Sequence, residues 1–234
     1  MSKTLTEKIF SKASNSDVAA GDLVNVKVDR LMTMDMLGPI TFSLFEQIGS
    51  GKIWDPDRLV VAPDHGVPGH NVPDSELLKT TREFARKYNL KNYFDIGRHG
   101  ICHQMMIENG FVLPGTVVVG TDSHSTTYGA MGAFGCGVST TEAAVIMATG
   151  EIWFKVPPTV RFNIIGKLPK GVAAKDIALK IMQLVEWEGK AAYKAIELGG
   201  SVIRDFSIDD RMTMTNMLAE TGAKNCIVER TLKR

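Results

Sequence analysis

Three short β-rich runs each deliver a histidine a few residues past their end, and that spacing narrows the folds open to this sequence. Leu59-Val60-Val61-Ala62 leads into Pro63-Asp64-His65-Gly66, Asn92-Tyr93-Phe94-Asp95-Ile96 into Gly97-Arg98-His99-Gly100, and Thr116-Val117-Val118-Val119 into Gly120-Thr121-Asp122-Ser123-His124. Amphipathic segments alternate with these runs, the pattern of a layered α/β domain rather than of a bundle or a sandwich. In open α/β sheets the carboxyl ends of the strands border the ligand crevice, so the three turns could face one cavity.

Helix signals fill the intervals. Asp74 can cap a segment with Leu77, Leu78, Thr81, Phe84, Ala85 and Tyr88 on one face, closing at Asn89. Ser139 and Glu142 form an S-x-x-E capping box ahead of the apolar residues 143–148. The Pro157-Pro158 pair breaks the chain and divides it into 1–157, a first α/β subdomain with the histidine turns, and 158–234, a second α/β subdomain. Beyond it the pattern predicts a strand from Thr159 to Ile165 and a helix from about Lys175 to Trp187. A last helix starts at Ser207, with Asp210 three residues on, and ends near Gly222.

Composition removes several classes. With 27 Lys+Arg interleaved with 26 Asp+Glu, there is no basic footprint for nucleic acid and no pull toward an anionic membrane. No apolar run approaches the roughly 20 residues of a membrane helix, and the N-terminus lacks an apolar signal region, so the expected address is cytoplasmic. Cys102, Cys136 and Cys226 are an odd number at wide spacing and read as reduced, buried thiols. Neither C-x-x-C nor H-E-x-x-H occurs, and no metal ligands are assigned within the chain.

All five histidines lie within one 60-residue stretch. Asp64-His65 and Asp122-Ser123-His124 set a carboxylate beside an imidazole, which can orient the ring and raise its pKa for proton transfer. One such pair alone is most often a solvated turn or a helix cap; three strand-end histidine motifs in succession shift that balance. His70, followed by Asn71 and Pro73, reads as a surface residue, and His99 has no adjacent acid. The glycine-rich residues 129–137 match neither a Walker A motif nor G-x-G-x-x-G. They either let backbone approach a ligand or another subdomain closely, or merely connect to the capped helix. Asn216 and Glu220, four apart, share a helix face, which by spacing alone reads as an exposed polar stripe.

Taken together, Gly120-Thr121-Asp122-Ser123-His124-Ser125, the glycine run after it, Pro63-Asp64-His65, Cys102-His103-Gln104 and Arg211-Met212-Thr213-Met214-Thr215-Asn216-Met217 resemble the aconitase superfamily. The likeness is strongest to the large subunits of its 3-isopropylmalate dehydratase and archaeal-type homoaconitase branches, and it runs from near Thr4 to about Val228. It implies a layered α/β/α iron-sulfur domain, here its first two subdomains, in a hydro-lyase that isomerises a 2-hydroxy acid by dehydration and rehydration. It implies catalytic roles for Asp64, His65, His103, Asp122, His124 and Glu220, substrate binding by Ser123 and Asp35, and a place for Asn216 beside a [4Fe-4S] cluster. The implied partners are a small subunit, the remaining C-terminal half of the large subunit, and a small 2-hydroxy acid.

Two departures accompany the resemblance. Met34 stands where related enzymes often carry His or Gln. The family's cluster ligands, a C-T-N cysteine and a C-x-x-C pair, belong to a more C-terminal region, and Cys102, Cys136 and Cys226 match none of them. The chain thus reads as the N-terminal half of a large subunit, inactive and cluster-free by itself. A homoaconitase or aconitase-type hydratase, or a non-catalytic scaffold that binds a partner subunit, are the alternatives.

Overall fold

A computed structural model describes residues 3–186 and 189–229. Strands and helices alternate as α1 (Leu5–Ser14), β1 (Leu23–Lys27), β2 (Arg30–Thr33), α2 (Gly38–Ile48), β3 (Leu59–Val61), α3 (Val72–Lys87), α4 (Cys102–Glu108), β4 (Val117–Gly120), β5 (Phe134–Gly137) and α5 (Thr140–Thr149). They continue as β6 (Glu151–Lys155), β7 (Thr159–Asn163), α6 (Ala174–Glu186), β8 (Ala195–Gly199), α7 (Ser201–Asp205), α8 (Ile208–Met217) and β9 (Asn225–Val228).

A parallel sheet in the order β3-β2-β4-β5 forms the centre. Every residue of β3 and β4 is buried. Such a strand needs an unbroken apolar run, which Leu59-Val60-Val61 and Val117-Val118-Val119 supply. The chain passes from β2 to β3 on one side, then crosses to β4 on the other side of β2. Order therefore reverses at β2, and the crevice of such a sheet opens at the carboxyl ends beside that reversal. Those ends carry Asp35, Asp64-His65 and residues 121–124. A second parallel sheet, β7-β8-β9, and an antiparallel ribbon of β1 with β6 complete the strands.

Caps set the helix starts. In α5 the Ser139 hydroxyl accepts from Glu142 N and Glu142 accepts from Ser139 N, the expected box, worth on the order of 1 kcal/mol. Ser207 and Asp210 do the same for α8. For α3, the cap is Asn71 and not Asp74: Asn71 Oδ1 accepts from Asp74 N, and Pro73 occupies the first turn, where its missing N–H costs nothing. Asn89 does lie in the left-handed region, at φ 50°, just past that helix. Helix α6 matches the expected one, although Trp187 lies outside the described residues.

Three further expectations are corrected. The run at residues 92–96 forms no strand, only a parallel bridge between Tyr93 and Val61. Its chain turns away because the Asp95 carboxylate takes Ile96 N and both Arg82 Nε and Nη2, and Gly97 follows at φ 89°. Strand β7 stops at Asn163, short of Ile165. Helix α8 ends at Met217, after which Leu218–Thr221 tighten into a 3-10 turn closed by Gly222 at φ 71°.

Buried side chains gather in three clusters. One lies between the central sheet, α1, α2, α5 and the β1-β6 ribbon, with Phe10 packed on Phe134 and Phe154. A second fills the space beneath the β7-β8-β9 sheet, and a third lies around Met32, Met106 and Tyr128. Each fully buried Val, Leu or Phe contributes roughly 1.5–3 kcal/mol of transfer free energy. Among the described residues, no helix is long and apolar enough to cross a membrane.

Candidate active site

The Asp122 carboxylate lies between three imidazoles drawn from separate parts of the chain. His103 Nε2, on α4, is 2.8 Å from Oδ1, His124 Nδ1 is 3.7 Å from the same oxygen, and His65 Nε2 is 3.8 Å from Oδ2. Asp122 also caps the 3-10 segment Ser123–Met131, accepting the His124 backbone N–H at 2.7 Å. The His103 hydrogen bond, strengthened by the backbone bond and the neighbouring imidazoles, outweighs burial and holds the carboxyl down at about 2. It is an anion throughout the physiological range.

With its proton on Nε2, His103 donates to Asp122, and its Nδ1 accepts from the hydroxyl of Tyr128 at 3.3 Å. Tyr128 is fully buried, and burial pushes its hydroxyl well above the ordinary phenol range, so it remains a donor. Tyr128 is a site residue that sequence reasoning missed. The run of hydroxyl side chains at residues 125–128, directly after the histidine, was the available signal.

His65 is built differently. Asp64 Oδ1 lies 2.6 Å from His65 Nδ1, while Asp64 Oδ2 accepts the N–H of Cys102, the first residue of α4. Burial pulls the His65 pKa down, but the hydrogen bond and charge of Asp64, with Asp122 and Asp35 behind it, raise it overall. Asp35 is 2% exposed, and its carboxylate takes the backbone N–H groups of Asp64, His65 and Gly66. Asp35, expected at the substrate, thereby holds the 64–66 turn in shape. Ligand atoms of Asp35, Asp64 and His65 lie within 4.8 Å of one another, but their hydrogen bonds organise the turn.

On the far wall, His124 Nε2 lies 3.0 Å from Glu220 Oε1, and Ser123 Oγ lies 3.1 Å from His124 Nδ1. Glu220 is exposed, as a polar stripe would be, yet it has an imidazole partner. Asn216 points elsewhere along the same segment, donating to Thr127 Oγ1 at 2.9 Å. Thr126 Oγ1 donates to Thr215 O and Thr215 Oγ1 to Thr127 O, which locks α8 against the segment. His70 instead meets Asp74 at 3.2 Å, and His99 Nδ1 accepts Gly97 N–H.

The glycine run resolves into close packing between parts of the chain. A methyl at Gly129 would overlap the carbonyl of Cys226 on β9, and one at Gly137 would lie 3.0 Å from Asp122 O. Beside Ser123, a cavity of about 420 Å³ reaches across to Tyr193, Gly222 and Lys224.

The cysteines do not form a ligand set. Cys136 belongs to the first buried cluster, Cys226 to the second and Cys102 to the third. Burial pushes the Cys136 thiol up to about 11 and raises the other two further. A thiolate cluster needs several deprotonated sulfurs around one centre, and these three do not fit it.

Strand-end carboxylates and imidazoles thus gather at the reversal of a parallel sheet, on an α/β scaffold. The chain belongs to the aconitase family (aconitate hydratase), whose profile matches residues 7–232. It is 45% identical over its whole length to the 3-isopropylmalate dehydratase large subunit 1 of Methanopyrus kandleri, covering 56% of that protein. It is 44% identical to the probable large subunit of Methanothermobacter thermautotrophicus and 43% to that of Caldanaerobacter subterraneus, over 98% of this chain and 54% of each relative. The chain thus spans about half the length of these curated relatives. Members of the family generally bind a [4Fe-4S] cluster.

Proposed function

We propose that this chain supplies the proton-handling wall of a cytoplasmic enzyme that isomerises 2-isopropylmalate to 3-isopropylmalate by dehydration and rehydration, a step of leucine biosynthesis. The observation that carries the reading is the continuous run of contacts from Tyr128 through His103, Asp122 and His124 to Glu220.

Dehydration removes a hydroxide from one carbon and a proton from its neighbour, and the hydroxide leaves readily only as water. The His124–Glu220 pair, partly open to solvent, is suited to deliver that proton and, in rehydration, to take one from the incoming water. Asp122 stays ionised, so His103 and the His124 backbone are held in place while the proton moves. His65, whose protonated form Asp64 and Asp122 favour, and the exposed Ser123 hydroxyl offer two hydrogen-bond donors to a substrate carboxylate. Removal of the carbon-bound proton is assigned to a small-subunit base. Any cluster cysteines are assigned to a further large-subunit half, because the three thiols here do not fit. The division at 157/158 belongs to the same reading, supported by buried clusters centred on either side of Pro157-Pro158.

One experiment tests the whole reading. The chain is assembled anaerobically with a small subunit and a complementary large-subunit half in the presence of iron and sulfide, and the unsaturated acid is followed by its ultraviolet absorbance. Turnover of 2-isopropylmalate is expected. Turnover of only citrate or homocitrate would move the chain to another branch, and a folded, cluster-loaded assembly without turnover would leave the scaffold reading, which the separated thiols favour.

A further inference from the structure

Tyr128 belongs to the 3-10 segment Ser123–Met131, and glycines on the neighbouring strands seat that segment. A methyl at Gly135, on β5, would lie 2.8 Å from Tyr128 Cβ, and one at Gly120, the last residue of β4, would overlap Ser125 Oγ. At Gly129 the segment also presses on β9. Backbone packed this closely leaves the fully buried Tyr128 ring one place to stand. A phenylalanine would fill the same space without bringing a polar atom into the interior, where a hydroxyl costs free energy unless it finds a partner. The partner is His103 Nδ1 at 3.3 Å, and the two rings meet edge to face with centroids 5.5 Å apart.

An imidazole held at one nitrogen can still turn about that hydrogen bond, or flip about Cβ–Cγ and present carbon where nitrogen stood. His103 is held at both, Nε2 by Asp122 and Nδ1 by Tyr128. Which ring nitrogen carries the proton is set by the hydrogen bond that the other makes. Here the hydroxyl at Nδ1 and the carboxylate at Nε2 select the same tautomer. Asp122 Oδ1 is in turn shared between His103 Nε2 and the His124 N–H, so the orientation of one ring bears on the carboxylate that sets the other.

We infer that Tyr128 is a positioning residue that acts through His103: its hydroxyl locks that ring, and with it the Asp122 carboxylate, in the orientation that places His124 beside Glu220. The effect on turnover rests on the dehydratase reading above; the lock on His103 does not. Tyr128→Phe tests it, keeping the ring and removing the hydroxyl. With histidine labelled in 15N at neutral pH, the wild-type chain is expected to show His103 protonated at Nε2 with Nδ1 as acceptor. In the variant the Nδ1 resonance is expected to move, while those of His70 and His99 stay in place. A wild-type tautomer with its proton on Nδ1, or an unmoved Nδ1 resonance in the variant, overturns the proposal. Should the variant fail to fold, the wild type decides: a nuclear Overhauser effect between the Tyr128 hydroxyl proton and His103 Hε1 is expected, and its absence overturns the lock. In the full assembly the variant's kcat is expected to fall about tenfold or more with KM little changed, because a misplaced group slows the chemical step without loosening the substrate. Undiminished kcat, or a rise in KM alone, overturns the positioning role. A wild-type assembly without turnover, its His103 resonances as expected, sinks the reaction alone and leaves the lock standing.

Discussion

His103 Nε2 and Asp122 Oδ1 lie 2.8 Å apart, joining the first turn of α4 to the loop that leaves β4. The same carboxylate oxygen caps the segment that carries His124. A single anion therefore sets the orientation of one imidazole and the backbone of another.

Acid should expose this role of Asp122. Its folded pKa of about 2 lies below the roughly 3.9 of a free aspartate, so its ionised form stabilises the fold above about pH 4, and that contribution is lost as pH falls through 2. Asp122→Asn is expected to cost on the order of 2 kcal/mol at neutral pH and progressively less toward pH 2. Urea denaturation across that range checks it; a gap that does not change with pH contradicts it.

His65 has the opposite sign. Its folded pKa is raised, so protonation stabilises the fold below the unfolded value of about 6.5, and the benefit is lost as pH rises through the folded value. An NMR titration of its ring protons should give a midpoint above 6.5, shifted down by Asp64→Asn. A wild-type midpoint at or below 6.5 would show that burial outweighs the carboxylates.

Glu220 separates catalysis from stability. Its side chain is 60% exposed, so Glu220→Gln should leave the melting temperature nearly unchanged. In the complete assembly, turnover should fall by about 10²-fold or more, the scale of a general acid–base group. Near-native turnover would return Glu220 to a surface role.

The glycine run is tested by substitution at its tightest point. Gly129→Ala puts a methyl onto the Cys226 carbonyl and is expected to destabilise by roughly 1–3 kcal/mol or more. Gly100→Ala, with open space around it, should change stability by under about 0.5 kcal/mol. Equal denaturation midpoints for the two variants would contradict the packing argument.

The three thiols should resist iodoacetamide in the native chain and react after unfolding, since all are buried with raised pKa values. Anaerobic iron and sulfide added to the chain alone should leave it colourless. Brown protein with about four irons per chain would overturn the statement that these cysteines do not fit a cluster.

Sequence by itself determined the strands that must be buried on both faces, the capping boxes at Ser139 and Ser207, and the placing of His65 and His124 past strand ends. These are local matters: apolar runs, residues three apart and turn chemistry act within a few positions, and periodicity reports them. Three assignments misread local competition: Asn71 displaced Asp74 as a cap, Asp95 drew its own turn out of the sheet, and α8 tightened at Leu218. Only the tertiary structure decided that Asp122 would meet His103, that Tyr128 would lie behind it, that Asp35 would hold a turn 30 residues away, and that Glu220 would reach His124 across 96 residues. Those contacts depend on which strand lies beside β2 and on α8 packing against residues 123–131. Hydrogen bonds between residues so distant leave no spacing in the sequence from which they can be read.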